Sequence, residues 1–289
     1  MGNPFLDGTR VERKSAGSFR ANIDTHWNLR PLPQGGIVSA LGLRAMQAEL
    51  DDPTQRLRTL HTTFVSQVAH GEVHIDVELL RRGRSVSHLR AEVRNADAQR
   101  GHITVGVFGG SRPGFDFTDL HLPSDIPPPD RCRSLRDPLP PGVVDDFAPM
   151  PFWDQLVEGR RALGHAWWED YQPSRAERAF WYRFDAPPFV SDGSLDPLAL
   201  VVLSDTMPGA VGEKIGSGGR AWFAPSIDLT FHLLGTCRSP WVLGYNTARH
   251  AGDGYASADV SLWDCGPEGR DKPRLVAYAT QIFLFSFLD

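Results

Sequence analysis

The sequence predicts an α+β fold that is built twice, with one long helix and an antiparallel β-sheet in each copy. One helical segment and four strand-like segments follow one another in the first third of the chain, and the same order returns in the last third. The offset between matching positions is nearly constant, at 167 residues from Phe64 to Phe231 and 169 from Gly83 to Gly252. A Pro-rich stretch separates the two copies. These features indicate duplication of one unit.

In the first copy, the predicted helix begins at Gly35 and Gly36 and runs through Met46. Apolar residues recur inside it at steps of three and four, the spacing of one buried helical face. Segments rich in β-branched and aromatic residues surround the helix, and several alternate apolar and polar positions as half-buried strands do. The strands expected in this copy are Phe19–His26, Leu60–Gln67, Val73–Arg81, Ser85–Val93 and His102–Phe108.

The second copy repeats this plan, with a helix predicted over Leu198–Met207. Two strands precede this helix and four follow it, and short connections favour antiparallel pairing. The strands expected here are Phe152–Glu158, Ala179–Phe184, Ile227–Leu234, Trp241–Ala248, Gly254–Leu262 and Leu275–Phe287. One long helix wrapped by an antiparallel sheet is the hotdog arrangement, so two copies predict a tandem, or double, hotdog.

Prolines divide the chain into its expected domains. Residues 122–151 are rich in proline, which removes backbone donors and fixes φ, so neither a helix nor a central strand can persist there. We expect an N-terminal hotdog over residues 1–121, a surface linker over 122–151 and a C-terminal hotdog over 152–289. The length of 289 residues agrees with two domains.

Composition excludes several classes of function. The formal net charge of −5 gives no basic excess suited to nucleic-acid phosphates. The three cysteines are widely spaced without a C-x-x-C pair, so we expect free thiols in a reducing cytosol and no metal site. No apolar run reaches the ~18 residues of a membrane span, and no secretory signal begins the chain. We expect a cytoplasmic protein with soluble small-molecule partners, without nucleic acid or membrane insertion.

Asp205 is the main functional candidate. By the i, i+3, i+4, i+7 rule its carboxylate shares one helical face with Leu198, Val201 and Val202. An isolated buried carboxylate is costly and persists only where it is hydrogen-bonded, ion-paired or functional. Two interpretations stay open: a functional carboxylate, or a structural aspartate paired with an arginine.

Two later strands add polar candidates. Both faces of the predicted strand Leu275–Phe287 are apolar, and Gln281 interrupts one of them. A buried glutamine amide needs up to four hydrogen-bond partners, which a nearby water or carboxylate could help to supply, although an ordinary core glutamine fits equally. Ser226 stands at the start of the preceding strand, and alternation alone leaves open whether it reaches a site.

Several catalytic motifs are absent from the sequence. No serine lies in G-x-S-x-G, which excludes the nucleophile elbow of α/β-hydrolases. H-E-x-x-H, the Walker A pattern and G-x-G-x-x-G are also missing. Residues 216–219 read GSGG, and we interpret them as a flexible loop after the second helix.

The segments together resemble the double-hotdog acyl-CoA thioesterases of the TesB type, in the thioesterase II and 4HBT superfamily. The resemblance runs from about Asn22 to Phe285, apart from the Pro-rich linker. It is carried by the glycine pair before an apolar helix and by the segments LDPLALVVLSD, PSIDLTFHLL, ARHAGDGYASADVSLWD and LVAYATQIFLF. It implies hydrolysis of acyl-CoA thioesters, with no cofactor.

The resemblance also implies a role for each polar candidate. In this family an Asp on the second-copy helix, a Ser or Thr starting the next strand and a Gln on the last strand hold the attacking water. They correspond here to Asp205, Ser226 and Gln281. Ser226 stands where the bacterial thioesterase II enzymes have Thr, and Asp228 is the neighbour to test in its place. Asp205 would accept the proton of the water while the other two side chains orient it.

The thioester itself would bind at the helix start and at charged turns. Gly36, beside Gly35, is the candidate donor for the carbonyl oxygen, because a residue without a side chain lets substrate approach free N–H groups. A tight strand-to-helix turn explains the pair equally well. Two equivalent turns could bind the phosphates of coenzyme A, although such turns are more often only solvated. Their arginines are Arg81, Arg82, Arg84 and Arg249.

The leading hypothesis is therefore an acyl-CoA thioesterase that acts on fatty or related acyl thioesters. One rival is a dehydratase or hydratase on the same fold, which usually needs a His paired with an acid at the helix start, where residues 33–36 read PQGG. Another is a catalytically silent hotdog that binds acyl thioesters or a partner protein. A homo-oligomer is allowed but not required, since a double hotdog already contains internal pairing.

Overall fold

The structure is a computed structural model that describes residues 2–144 and 149–288. The strands of the first half are β1 (Glu12–Ser15), β2 (Ser18–Ile23), β3 (Arg56–Phe64), β4 (Gly71–Arg81), β5 (Val86–Asn95) and β6 (His102–Gly109). Those that follow are β7 (Arg133–Ser134), β8 (Val157–Leu163), β9 (Glu177–Phe184), β10 (Trp222–Phe223), β11 (Asp228–Leu233), β12 (Val242–Gly252), β13 (Tyr255–Asp264), β14 (Arg274–Leu284) and β15 (Ser286–Phe287). The α-helices are α1 (Pro4–Gly8), α2 (Gly35–Leu50), α3 (Pro197–Ser204) and α4 (Gly209–Ile215).

The strand order shows the duplication directly. Within the described residues, thirteen strands form one antiparallel sheet in the order β1-β2-β4-β5-β6-β3-β11-β14-β13-β12-β9-β8-β7. The run β2-β4-β5-β6-β3 of the first half is matched by β9-β12-β13-β14-β11 of the second, in mirror order. The halves meet where β3 and β11 pair, with Thr62 opposite Leu229. The predicted tandem hotdog fold is confirmed.

Helices α2 and α3 pack against each other on the inner face of the sheet. Every residue of α3 from Leu198 to Ser204 is buried, as expected for a helix that is apolar on almost all sides. Helix α2 has 16 residues and is buried along most of its length. No helix in the described part of the chain is both long enough and apolar enough to cross a membrane.

The second half departs from the predicted elements at the end of α3 and at the start of β8. Helix α3 ends at Ser204 instead of Met207, so Asp205 is its C-terminal cap residue. Pro208 then separates α3 from α4, because a proline ring clashes with the preceding helical turn. Helix α4 has no counterpart among the predicted elements. The expected strand Phe152–Glu158 begins instead with a π-helical turn that leads into β8.

Part of the predicted linker covers the outer face of the second half. Leu122 and neighbouring apolar residues pack on a second apolar cluster that contains Trp181 and Leu243. The indole N–H of Trp181 donates to the carbonyl of Pro127 at 2.9 Å, and β7 pairs with β8. Residues 145–148 of the linker lie outside the described residues. The boundaries at 121 and 151 stay a prediction.

Candidate active site

Asp205 lies where the C-terminal end of α3 meets the N-terminal end of α2. Its Oδ2 accepts a hydrogen bond from the Gly36 N–H at 3.0 Å, and its Oδ1 accepts one from Gln281 Nε2 at 2.5 Å. Asp205 is 9% exposed and Gln281 is 1% exposed. The carboxylate therefore joins a helix of the first half to a strand of the second in a nearly closed environment.

Burial raises the pKa of Asp205 above its usual value, because loss of water disfavours the charged form. The hydrogen bonds from Gln281, Gly36 and Gly35 lower this pKa and offset part of the effect of burial. The positive end of α2 acts in the same direction as these hydrogen bonds. A carboxylate with a raised pKa is a stronger base than an ordinary aspartate, which suits proton abstraction near neutral pH.

The glycine pair is required by the close approach of α2 and α3. A Cβ on Gly35 would lie 3.0 Å from both Asp205 Oδ2 and the Phe64 ring. A Cβ on Gly36 would lie 2.8 Å from the Cα of Val202, a distance that real Cβ atoms do not show. The Gly36 N–H, expected to be free for a substrate oxygen, donates instead to Asp205. The glycine pair thus holds the carboxylate in place.

The Gln281 amide has one end engaged and one end unpartnered. Its Nε2 donates to Asp205, whereas its Oε1 is buried and has no hydrogen-bond partner within the described residues. Leaving such an oxygen unpaired costs about 1–3 kcal/mol. Buried polar groups are rarely left unpaired, so this oxygen marks a position for a donor on water or substrate beside Asp205.

A β-bulge turns Ser226 toward the inner face. The register of β11 with β14 would place Ile227 opposite Phe283. It is Ser226 that bridges Phe283, so one extra residue interrupts the ladder. Residues directly opposite share a face, which puts Ser226 on the same face as Phe283 and Gln281. In the described part of the chain, its hydroxyl makes no hydrogen bond to Asp205 or Gln281.

Asp228, the alternative to Ser226, is engaged elsewhere. Its Oδ1 accepts a hydrogen bond from the backbone N–H of Ile282 at 2.7 Å. The bulge takes this N–H out of the regular ladder, and the carboxylate satisfies it. Asp228 therefore stabilises the bulge that orients Ser226 and does not contact Asp205.

Gln34 belongs to the site although it is not among the sequence candidates. Its Oε1 accepts from the Ile37 N–H at 3.0 Å and so caps α2. Its Nε2 donates to the carbonyls of Val202 at 2.7 Å and Asp205 at 3.1 Å, which fixes the end of α3 against the start of α2. A signal exists in the sequence, because a glutamine stands at a helix start where Ser, Thr, Asp and Asn dominate.

The first half also supplies an aromatic wall beside the glycine pair. The Phe64 ring, which approaches Gly35, packs on the His102 ring with 4.5 Å between the centroids. Burial lowers the pKa of His102 to about 3, so its imidazole stays neutral at physiological pH. The wall is therefore uncharged.

At the other end of α3, its N-terminal end, an ion pair joins this helix to α2. Asp196 begins α3 and accepts from the Leu198 N–H at 3.0 Å. Its Oδ2 also accepts from Arg44 of α2 at 2.5 Å, which neutralises it. Asp205 has no such cation within the described residues. Of the two buried carboxylates between α2 and α3, Asp196 is neutralised by a cation. Asp205 is held only by hydrogen bonds within the described residues.

Two of the four arginines proposed for phosphate binding make contacts within the protein. In the turn of residues 81–84, Arg82 donates to the carbonyl of the last residue of α2 at 2.6 Å. That end of the helix is about 21 Å from Gly36 at 1.5 Å per residue. Arg249 is already held by both carboxylate oxygens of Asp259. The phosphate site expected at these turns stays a prediction.

Metal binding and thiol chemistry find no support in the described residues. Across residues 2–144 and 149–288, no group of three or more His, Cys, Asp or Glu side chains could hold a metal ion. All three cysteines are buried and unbonded. Burial raises the pKa of Cys132 to about 11 and those of Cys237 and Cys265 to about 12. Such thiols are protonated at neutral pH and are poor nucleophiles.

Two family profiles cover most of the chain. The profile of the acyl-CoA thioesterase N-terminal domain matches residues 23–109. The profile of the acyl-CoA thioesterase C-terminal domain matches residues 129–285. No curated protein matches the chain.

Solved structures share the fold along the whole chain. A conserved hot dog fold protein from Alicyclobacillus acidocaldarius is 22% identical, with a TM-score of 0.79 and 100% of both chains covered. An acyl-CoA thioesterase II from Mycobacterium marinum is 18% identical, with a TM-score of 0.72 and 99% of both chains covered. The tesB protein of Mycobacterium avium subs paratuberculosis is 17% identical, with a TM-score of 0.69 and 98% of both covered. At these identities the likeness establishes the fold.

Proposed function

Since this chain belongs to the acyl-CoA thioesterase family, we propose that it hydrolyses acyl-CoA thioesters through a water activated by Asp205. The supporting observation is the buried carboxylate that Gly36 and Gln281 hold by hydrogen bonds, while no cation among the described residues neutralises it. A structural aspartate would be expected to have an ion-pair partner, as Asp196 has in Arg44.

In the proposed reaction, the water lies between Asp205, Gln281 and Ser226. Asp205 accepts one proton as the water oxygen bonds to the thioester carbonyl carbon. The unpartnered Oε1 of Gln281 accepts a hydrogen bond from the second proton, and the Ser226 hydroxyl fixes the approach. The C–S bond then breaks, and the proton passes to the leaving thiolate. Free acid and coenzyme A result, and a thiol pKa of about 8.5 makes a strong general acid unnecessary.

The glycine pair supports the base in this proposal. The Gly36 N–H is committed to Asp205 Oδ2, so we assign it to the orientation of the carboxylate and not to the carbonyl oxygen. Gly35 keeps the contact short because no side chain separates α2 from Asp205.

Asp205→Asn tests the proposal. We expect thiol release to fall by about 10²–10⁴, because the variant has no general base. The fold should be kept, since the new Oδ1 can accept from Gly36 and the Gln281 amide can turn its Oε1 toward the new amide. Thiol release is measured with acyl-CoAs of increasing chain length. Asp228→Asn is the matched control, because it keeps an acceptor for Ile282 and should retain most activity.

Three results would contradict this proposal in different ways. A folded wild-type protein that releases no thiol from any acyl-CoA would exclude thioesterase activity, and binding without turnover would favour the silent hotdog. Addition of water to an enoyl thioester would favour a hydratase. An Asp205→Asn variant as active as wild type would leave the reaction class intact but remove Asp205 as the base.

A further inference from the structure

A groove of about 610 Å³ lies between α4 and the far end of β12. Its volume is in the range of cavities that enclose most of a small ligand. Val211 and Ile215 of α4 form one wall, Ala248 and Ala251 of β12 form another, and Phe285 lies at the end of β14. Helix α4 begins four residues after Asp205, so this wall of the groove follows the candidate base closely in the chain.

A row of short side chains connects this groove with Gln281. Gln281 pairs with Ala258 of β13, and Ala258 pairs with Ala248, which lines the groove. Directly paired residues share a face of an antiparallel sheet, so all three point inward. Two strand spacings amount to about 10 Å. The inner end of the row is the buried, unpartnered Oε1 of Gln281, an independent sign that a polar ligand or water belongs there.

The groove has apolar walls and a polar rim, and Arg249 and His250 are part of its lining. Lys214, on the last turn of α4, is exposed and has no acidic partner within the described residues. Arg175 is exposed beside it, with Glu177 at 3.8 Å as the acid of the lining. The chain as a whole is acidic, so a locally cationic rim favours an anionic group.

We propose that this groove binds the phosphopantetheine arm of the thioester substrate. The proposal rests on the thioesterase function above. The arm is a narrow chain that carries the thioester sulfur at one end and a phosphate at the other. Its sulfur end lies along the alanine row toward Gln281 and Asp205, and its phosphate lies at Lys214 and Arg175. Coenzyme A and an acyl carrier protein present this same chemistry.

Lys214→Glu tests the groove. The kcat and KM for thiol release are compared for an acyl-CoA and for the N-acetylcysteamine thioester of the same acyl group, which has no phosphate. We expect the KM for acyl-CoA to rise about tenfold with kcat kept, and the phosphate-free thioester to be unaffected. Added salt should raise the wild-type KM for acyl-CoA and have little effect on that of the variant. Lys272→Glu, at an exposed lysine outside the groove, is the matched control.

The outcomes separate this proposal from the function on which it rests. Wild-type hydrolysis of both thioesters, with Lys214→Glu and Lys272→Glu behaving alike, would overturn the groove assignment and leave the thioesterase intact. Absence of turnover with either thioester would contradict the proposed function. Calorimetry of coenzyme A binding to both variants would still show whether the groove binds the phosphate. A third substrate, the same acyl group on an acyl carrier protein, shows which carrier supplies the arm. If Lys214→Glu raises the KM for that substrate more than the KM for acyl-CoA, the carrier protein supplies the arm.

Discussion

The pKa of Asp205 links one residue to the pH dependence of the reaction. The base must be ionised, so kcat/KM should fall in acid through a pKa above the ordinary aspartate value of 3.8. Gln281→Leu removes a hydrogen bond that lowers this pKa, and we expect the acid limb to move to higher pH with a reduced kcat. Profiles of kcat/KM against pH measure both effects. If the acid limb of the variant stays at the same pH, Gln281 does not affect the pKa of Asp205.

Gly36 shows how little space separates the two helices. A Cβ here would meet the backbone of Val202 at 2.8 Å, and backbone cannot move aside as a flexible side chain can. Gly36→Ala should therefore destabilise the fold by about 1–3 kcal/mol, although alanine is usually the better helix former. Urea unfolding measures the change. Gly218→Ala, where an added Cβ meets nothing within 4 Å, should be nearly neutral, and equal losses would contradict the steric argument.

Helix α4 is held in place by ion pairs and hydrogen bonds of the buried Glu213 side chain. Glu213, 2% exposed, accepts from the backbone N–H of His165 at 2.9 Å and from its Nδ1 at 2.7 Å. The Nε of Arg178 lies 3.3 Å away as an ion pair, and the same guanidinium donates to the Gly209 carbonyl at 3.4 Å. A helix of seven residues is not stable by itself. These contacts thus hold the helix that follows Asp205 against β9.

Glu213→Ala should release this helix. Removing one member of a buried ion pair leaves the other uncompensated, and with Arg178 partly exposed we expect a loss of roughly 2–4 kcal/mol. The KM for acyl-CoA should rise as well, because α4 forms a wall of the groove. Chemical unfolding and steady-state kinetics measure the two effects. Glu78→Ala, at an exposed acid on β4, should change neither, and a similar result for Glu213→Ala would show that the network does not fix α4.

Across the whole fold, the two contacts between α2 and α3 have different roles: the Asp196–Arg44 ion pair contributes to stability and Asp205 contributes to the reaction. Arg44→Met leaves the buried Asp196 without its cation and should cost roughly 2–4 kcal/mol of stability, with kcat unchanged. Asp205→Asn should do the reverse, with kcat lost and stability kept. Urea midpoints and thiol release, measured together on both variants, test the division. Loss of kcat in Arg44→Met without loss of stability would assign a catalytic role to the Asp196–Arg44 ion pair.

Predictability varied among the site residues for a physical reason. Asp205 and Gln281 could be identified because each interrupts an apolar face, and such faces follow from local periodicity. Ser226 could be identified only through the family resemblance, since the bulge that turns it inward breaks the alternation. Gln34 could not be placed, because its partners Val202 and Asp205 are 168 and 171 residues away in the chain.

Helical and strand periodicities are properties of neighbouring residues. The sequence alone was therefore enough to predict the duplication, the hotdog architecture and the two polar residues that face the interior. The hydrogen bond from the Gly36 N–H to Asp205 came only from the three-dimensional arrangement. The same holds for the groove that α4 borders. These features depend on strand register and on the contact between α2 and α3, which join residues far apart in the chain and leave no local pattern.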